Sequence, residues 1–136
     1  MPDETPLDTA ATMRVAALRE ALRAFLRESE LVAQASGLTP QRHLLLLMIK
    51  GAPDGGERST VTELAARLRL AQTTVTDLVA RAERAGLVER ERSPEDARVA
   101  LLRLTVEGER RLARSVRGHA TERERLREML RALADD

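Results

Sequence analysis

Apolar positions recur at steps of three and four along most of this chain, and glycines, prolines and capping residues punctuate them. From about Ala10 to Ala35, Val15, Leu18, Leu22, Phe25 and Val32 fall on one helical face, with Ser29 set among them. Ser36-Gly37 closes that helix. Thr39-Pro40 opens the next, since threonine is a good N-cap and proline fits the first helical position. Leu44 to Ile49 is apolar on every side and predicts a buried helix, followed by a glycine-rich loop from Gly51 to Glu57. Thr60 and Glu63 have capping-box spacing and start a short helix to about Leu68. A further helix is expected from Gln72 to Ala85, ended by Gly86.

The period then changes. Leu87 to Arg92 and Arg98 to Leu104 have strand character, and Ser93-Pro94-Glu95-Asp96 between them is a turn cluster. Together they predict a hairpin with a charged tip. From Thr105 helical spacing returns, with a stripe of Leu112, Val116, His119, Arg123, Leu126, Leu130 and Leu133. This spacing leaves open whether the C-terminal region is one helix or two.

The segment from Leu64 to Leu78 carries the functional signal. Leu64, Leu68, Leu70, Val75 and Leu78, with small Ala65, have the spacing of a helix-turn-helix. In that reading Leu70 tucks under both helices, and the second helix turns Gln72, Thr73, Thr76, Asp77 and Arg81 outward. Those side chains suit base edges in a major groove. Arg69 stands where such turns often carry glycine. The hairpin that follows makes a winged helix of the motif. Arg98, beside the turn, is the candidate for the narrow minor groove, with Asp96 two residues earlier to fix its direction or shape the turn.

Composition sharpens this picture without creating it. The 136 residues include 22 leucines and 21 alanines, so a mainly α-helical protein is expected. The net charge is only +1, which gives no global case for nucleic acid. From Arg67 to Arg103 there are eight basic and six acidic residues, so a positive face requires the charges to be sorted. Strand alternation in Glu89-Arg90-Glu91-Arg92 would do so, putting both arginines on one side. The single aromatic residue, Phe25, leaves little for stacking on unpaired bases, which favours duplex readout. The absence of cysteine excludes disulfides, thiolate zinc sites and thiol redox sensing. With two histidines, His43 and His119, and no ligand spacing, no metal site and no cofactor are expected. The longest apolar run is too short for a membrane span, and a soluble, cytoplasmic protein is the expectation. No catalytic motif is present, so no enzyme is expected.

The segments LTPQRHLLLLMI, TELAARLRLAQTTVTDLVARAERAGLVER and DARVALLRLTVEGERRL resemble the MarR family of bacterial transcription regulators over about residues 10–115. The most specific parts are Asp96-x-Arg98, Leu104-Thr105-x-x-Gly108 and Gly86-Leu87-Val88. The resemblance implies a homodimer built by the first and last helices, and a ligand-responsive repressor on a near-palindromic double-stranded DNA operator. It places Gln72, Thr73, Thr74, Thr76 and Arg81 on the recognition helix and Arg98 at the wing tip. It divides the chain into an acidic tail (1–9), a dimerisation helix (10–38), a winged helix-turn-helix (39–104) and a C-terminal dimerisation helix (105–136). It also implies a small phenolic or aromatic acid effector, with Phe25, Ser29 and His43 as pocket candidates. For His43 an ordinary hydrogen-bonded place on a half-buried helix is the competing reading. His119 and Arg123 are read either as a pH-sensitive patch in a dimer interface or as residues paired at its edge.

Two positions depart from the family pattern. Ala71 stands where a serine N-cap is usual, and Asp77 where a basic residue is common. Asp77 can accept from cytosine N4 but repels phosphate, so pairing with Arg81 is expected in preference to direct base contact. The alternative function is a dimeric winged helix that binds protein rather than DNA.

Overall fold

The computed structural model describes residues 5–134, and side chains as far as residue 132. The first four residues of the acidic tail, the Leu133 side chain and residues 135–136 of the last segment lie outside what is described. Six helices and one hairpin follow in the order α1 (Thr9–Ala35), α2 (Pro40–Lys50), α3 (Val61–Leu68), α4 (Gln72–Arg84), β1 (Val88–Arg92), β2 (Ala100–Leu104), α5 (Val106–Gly118) and α6 (Ala120–Ala134). The fold is the mainly α, winged helix-turn-helix architecture that the spacing predicts.

The local signals act as their chemistry requires. Asp8, assigned above to the tail, is the N-cap of α1, and its carboxylate accepts from the backbone N–H of Ala10 and Ala11. Thr39 caps α2, with Pro40 next to it. The Thr60–Glu63 capping box forms in both directions, at 3.1 Å each way. α4 ends in a Schellman turn, in which Gly86 N–H bonds Glu83 O and Leu87 N–H bonds Ala82 O.

One core joins α2, α3, α4, α5 and the hairpin. Leu45, Leu46, Ile49, Leu64, Val75, Val79, Leu87 and Leu102 are wholly buried in it. α1 buries only Ala33 completely, and α6 buries no described side chain completely. α2 is less enclosed than its apolar run suggested, because Leu44 stays exposed.

Leu70 does not tuck beneath the two helices; it is 40% exposed. Arg69 adopts the left-handed conformation (φ 57°), which turns the chain so that Leu70 points outward. Leu68, two residues earlier, packs against the core in its place. A non-glycine residue in this region carries a strain of about 1 kcal/mol.

The hairpin is antiparallel, with Val88 opposite Leu104 and Arg92 opposite Ala100. A single bridge joins Ser59 to Leu102 through both backbone hydrogen bonds, 3.1 and 2.8 Å. It ties the chain just before α3 to the wing, and no periodicity foretold it.

The C-terminal region is two helices. The break lies at His119, where Gly118 meets α1 so closely that a Cβ there would sit 2.8 Å from Val32 Cγ1. Among the described residues no helix is long and apolar enough to cross a membrane, and no group of three or more His, Asp or Glu is placed to hold a metal.

Candidate nucleic-acid interface

α4 buries Val75, Leu78, Val79 and Ala82 against the core. At about 100° per residue, Thr73, Ala80, Arg84 and Asp77 lie within roughly 30° of the direction opposite that stripe. Thr76 and Arg81 flank this line, and Gln72 and Thr74 sit at its margins. Gln72, Thr73, Thr74, Thr76 and Arg81 are all exposed. The outermost line therefore includes three residues absent from the predicted contact set: Asp77, which the sequence already turned outward, Ala80 and Arg84. A wheel drawn from the buried stripe would have found Arg84.

Asp77 and Arg81 form an i,i+4 ion pair, Oδ2 to a guanidinium nitrogen at 2.8 Å. Both are about half exposed (55% and 54%), so the pair contributes at most about 0.5 kcal/mol to the helix. Ala71 is the N-cap of α4 and makes no side-chain cap bond, as the missing serine implied. The N–H groups of the first turn thus lack a side-chain acceptor there, an arrangement that favours an approaching anion.

The wing is built around Asp96. Its carboxylate accepts from Arg98 N–H at 3.0 Å and from Arg98 Nε at 3.2 Å, with a second guanidinium nitrogen at 3.3 Å. The Arg98 side chain is 91% exposed and is held in one direction by this grip. These hydrogen bonds also hold the Asp96 carboxyl below its usual pKa.

Strand alternation sorts the wing charges. Val88, Arg90 and Arg92 share the face that meets Leu104 and Leu102, while Glu89 and Glu91 face the other way. Glu89 is neutralised by Arg103 at 2.8 Å, and Glu91 by Arg103 and Arg58. Arg90 is spent on Glu83 of α4, at 2.9 Å. Arg92 has no carboxylate partner among the described residues and donates to Ala97 O near the tip. Arg67 is structural: it donates to Met48 O and Gly51 O at the end of α2. Among the described residues of this region, Arg69, Arg84 and Arg92 have no carboxylate partner, while Arg81 and Arg98 are each paired with a neighbouring aspartate.

One junction aims the wing relative to α4. Thr105 Oγ1 donates to Gly86 O at 2.6 Å, and Thr105 N–H bonds Leu87 O at 3.0 Å. Gly108 lies against the same strand start, where a Cβ would fall 2.1 Å from Leu87 O. The two glycine-bearing motifs singled out in the sequence are therefore the two halves of a single clasp.

The predicted pocket residues separate. Ser29 and His43 line a cavity of about 170 Å³ with Leu26, Glu30, Pro40 and Leu44. Phe25 instead lines a groove of about 580 Å³ between α1 and α6, with Ala21, Glu28, Leu126 and Met129. The ring of Phe25 also packs on His119, 4.5 Å between centroids. His43 shares a 3.0 Å hydrogen bond with the buried Ser115 hydroxyl. Burial first, and the neighbouring His119 second, lower its pKa from the ordinary 6.5. His119 is buried rather than at an edge, and its Nε2 has no hydrogen-bond partner. Arg123 folds back to Val116 O at 2.6 Å and covers the end of α5.

Residues 36–99 match the model of the MarR family. Over 77 residues the chain is 36% identical to an uncharacterized HTH-type transcriptional regulator, YsmB, of Bacillus subtilis (strain 168). That match covers 57% of this chain and 51% of the relative, so it spans about half the relative's length. The solved structure of Sco3205, a MarR family transcriptional regulator from Streptomyces coelicolor in complex with DNA, superposes with a TM-score of 0.70 at 26% identity. It covers 98% of this chain and 88% of that one.

The segment from the end of α1 into the wing is thus similar to the MarR family.

The solved structure of NadR in complex with 4-hydroxyphenylacetate shares the fold, covering 99% of this chain and 94% of its own with a TM-score of 0.71 at 21% identity. The family match ends inside the wing, immediately after Arg98. It takes in α2, α3, α4 and β1, the elements that set Asp77, Arg81, Asp96 and Arg98 in place.

Proposed function

We propose that this protein is a sequence-specific, duplex-DNA-binding transcription regulator that acts as a homodimer on a near-palindromic operator. The observation that carries the reading is the pairing of an exposed polar helix with an arginine gripped at a wing tip. Gln72, Thr73, Thr74, Thr76 and Arg81 present hydrogen-bonding groups of a length suited to the major groove. Arg98, aimed by Asp96, suits the flanking minor groove. The uncapped start of α4 offers backbone N–H groups to a phosphate. That Sco3205, a structural neighbour, is solved in complex with DNA supports a DNA-binding reading. Two-fold symmetry gives half-sites about 10 bp apart.

The dimer would form through α1 and α6, whose apolar side chains this chain alone leaves uncovered: Leu26 is 58% exposed and Leu130 50%. A repressor released by a small aromatic acid is the regulatory form of the proposal, supported by the phenolic ligand of NadR. In this chain the cavity at Ser29 and His43 is below the roughly 300 Å³ of ordinary ligand sites. An effector there requires Leu26 and Leu44, both exposed, to move aside.

The test is titration of duplex DNA from the region upstream of its own gene, at several salt concentrations, with and without aromatic acids. Specific binding with a steep salt slope is expected, because phosphate contacts release counterions. Arg98→Ala should weaken it by about 1–3 kcal/mol at fixed salt. Salt-independent or absent binding favours the protein-interaction alternative.

A further inference from the structure

The family-typical base reader is expected to be a donor, yet an acidic side chain stands near the middle of the exposed face of α4. Asp77 lies within roughly 30° of the most outward direction, closer to it than Gln72, Thr74 or Arg81. Arg81 sits about 70° to one side, but its guanidinium reaches back to Asp77 Oδ2 at 2.8 Å. The ion pair therefore draws the arginine head from the flank of the helix towards its centre. Ala80, between them on the outer line, adds no bulk that would hold the helix off a groove floor.

We propose that Asp77 and Arg81 act as one reading unit. Arg81 donates to guanine O6 and N7, and Asp77 both positions that guanidinium and accepts from the amino group of an adjacent cytosine. The chemistry follows from the donor and acceptor pattern of the major groove. A guanidinium fits the two guanine acceptors, and a carboxylate, having only acceptors, fits the cytosine amino donor. The same carboxylate disfavours thymine O4 and every phosphate oxygen it approaches. Asp77 thus lowers affinity for duplex in general and raises discrimination between duplexes.

Both residues are exposed, and neither supports the core, so substitution leaves the fold standing. The same logic operates at the wing, where Asp96 grips Arg98. The recognition helix repeats the device one helical turn apart, at i and i+4.

This inference rests on the proposed duplex-DNA reading, and one experiment separates the two. The full chain and its D77A, D77N and R81A variants are each used to select from a random duplex pool. Affinities for the selected and for scrambled duplexes are then measured at fixed salt, and equal melting temperatures check the fold. The wild type should select a guanine next to a cytosine in each half-site. R81A should lose about tenfold or more of the guanine preference. D77A should loosen both positions and bind scrambled duplex roughly threefold more tightly. D77N, which gains a donor, should shift the cytosine position towards adenine. A wild-type motif retained unchanged by D77A overturns this inference alone. A wild type that prefers no duplex sequence overturns it together with the proposed function.

Discussion

The winged body, from α2 to α5, and the α1–α6 pair are both helical and rich in leucine, yet they bury their side chains very differently. In the body, Leu45, Leu46, Ile49, Leu64 and Leu87 are fully enclosed by the chain's own elements. In the pair, α1 encloses Ala33 alone, and Met13, Val15, Leu26 and Leu130 stay largely in water. Leucine content is thus no measure of self-sufficiency. The body encloses its core within one chain, whereas the pair leaves apolar side chains uncovered.

The largest expected effect lies at the clasp within the body. Gly108→Ala puts a methyl group where Leu87 O stands, so α5 must separate from the start of β1. Thermal or urea unfolding should show a loss of about 3 kcal/mol. A loss below about 0.5 kcal/mol would mean that the body tolerates a shift the geometry denies it.

The pair should break differently. Phe25→Asp places a charge in the groove between α1 and α6, beside Glu28 and Leu126. The expected outcome is a dimer dissociation constant raised at least about tenfold, read by sedimentation, while the body keeps its helical signal. If the variant remains fully dimeric at low micromolar concentration, the interface lies elsewhere.

The smallest effect is electrostatic and sits inside the body. His43 on α2 bonds Ser115 on α5, and its folded pKa is below the ordinary 6.5. The unfolded chain therefore binds the proton more readily. Stability linked to His43 is present above about pH 6.5 and is lost as the pH falls towards the folded value. The melting temperature should drop between about pH 7 and pH 5, and His43→Gln should flatten that drop. An unchanged slope in the variant would assign the pH dependence to other groups.

The comparison also explains what the sequence could tell. Helix starts and stops were legible at Thr39, Thr60, Gly37 and Gly86, because capping is a local hydrogen-bond problem solved by local residues. The spacing of Leu64, Val75 and Leu78 disclosed the helix-turn-helix for the same reason: each helix must bury one stripe. What escaped depends on single backbone events. The break at His119 keeps residues 116, 119 and 123 at helical steps, so the stripe reads through it. The Ser59–Leu102 bridge is one residue long and has no period. The left-handed turn at Arg69 reverses the expected direction of Leu70. At the interface, Arg98 and Asp96 were legible as a motif. The central place of Asp77 needed the buried stripe to be located first. Phe25 was grouped with Ser29 and His43 through the family resemblance, whereas Phe25 lines the groove between α1 and α6 and the other two line a separate cavity.

The central claim is that two copies of α4 and the wing read a duplex from one side. Hydroxyl-radical and methylation footprinting of the full chain on its selected duplex tests that geometry directly. Two major-groove protections about 10 bp apart are expected, each with a flanking minor-groove protection that disappears in Arg98→Ala. A single protected half-site, or minor-groove protection that survives Arg98→Ala, would contradict it.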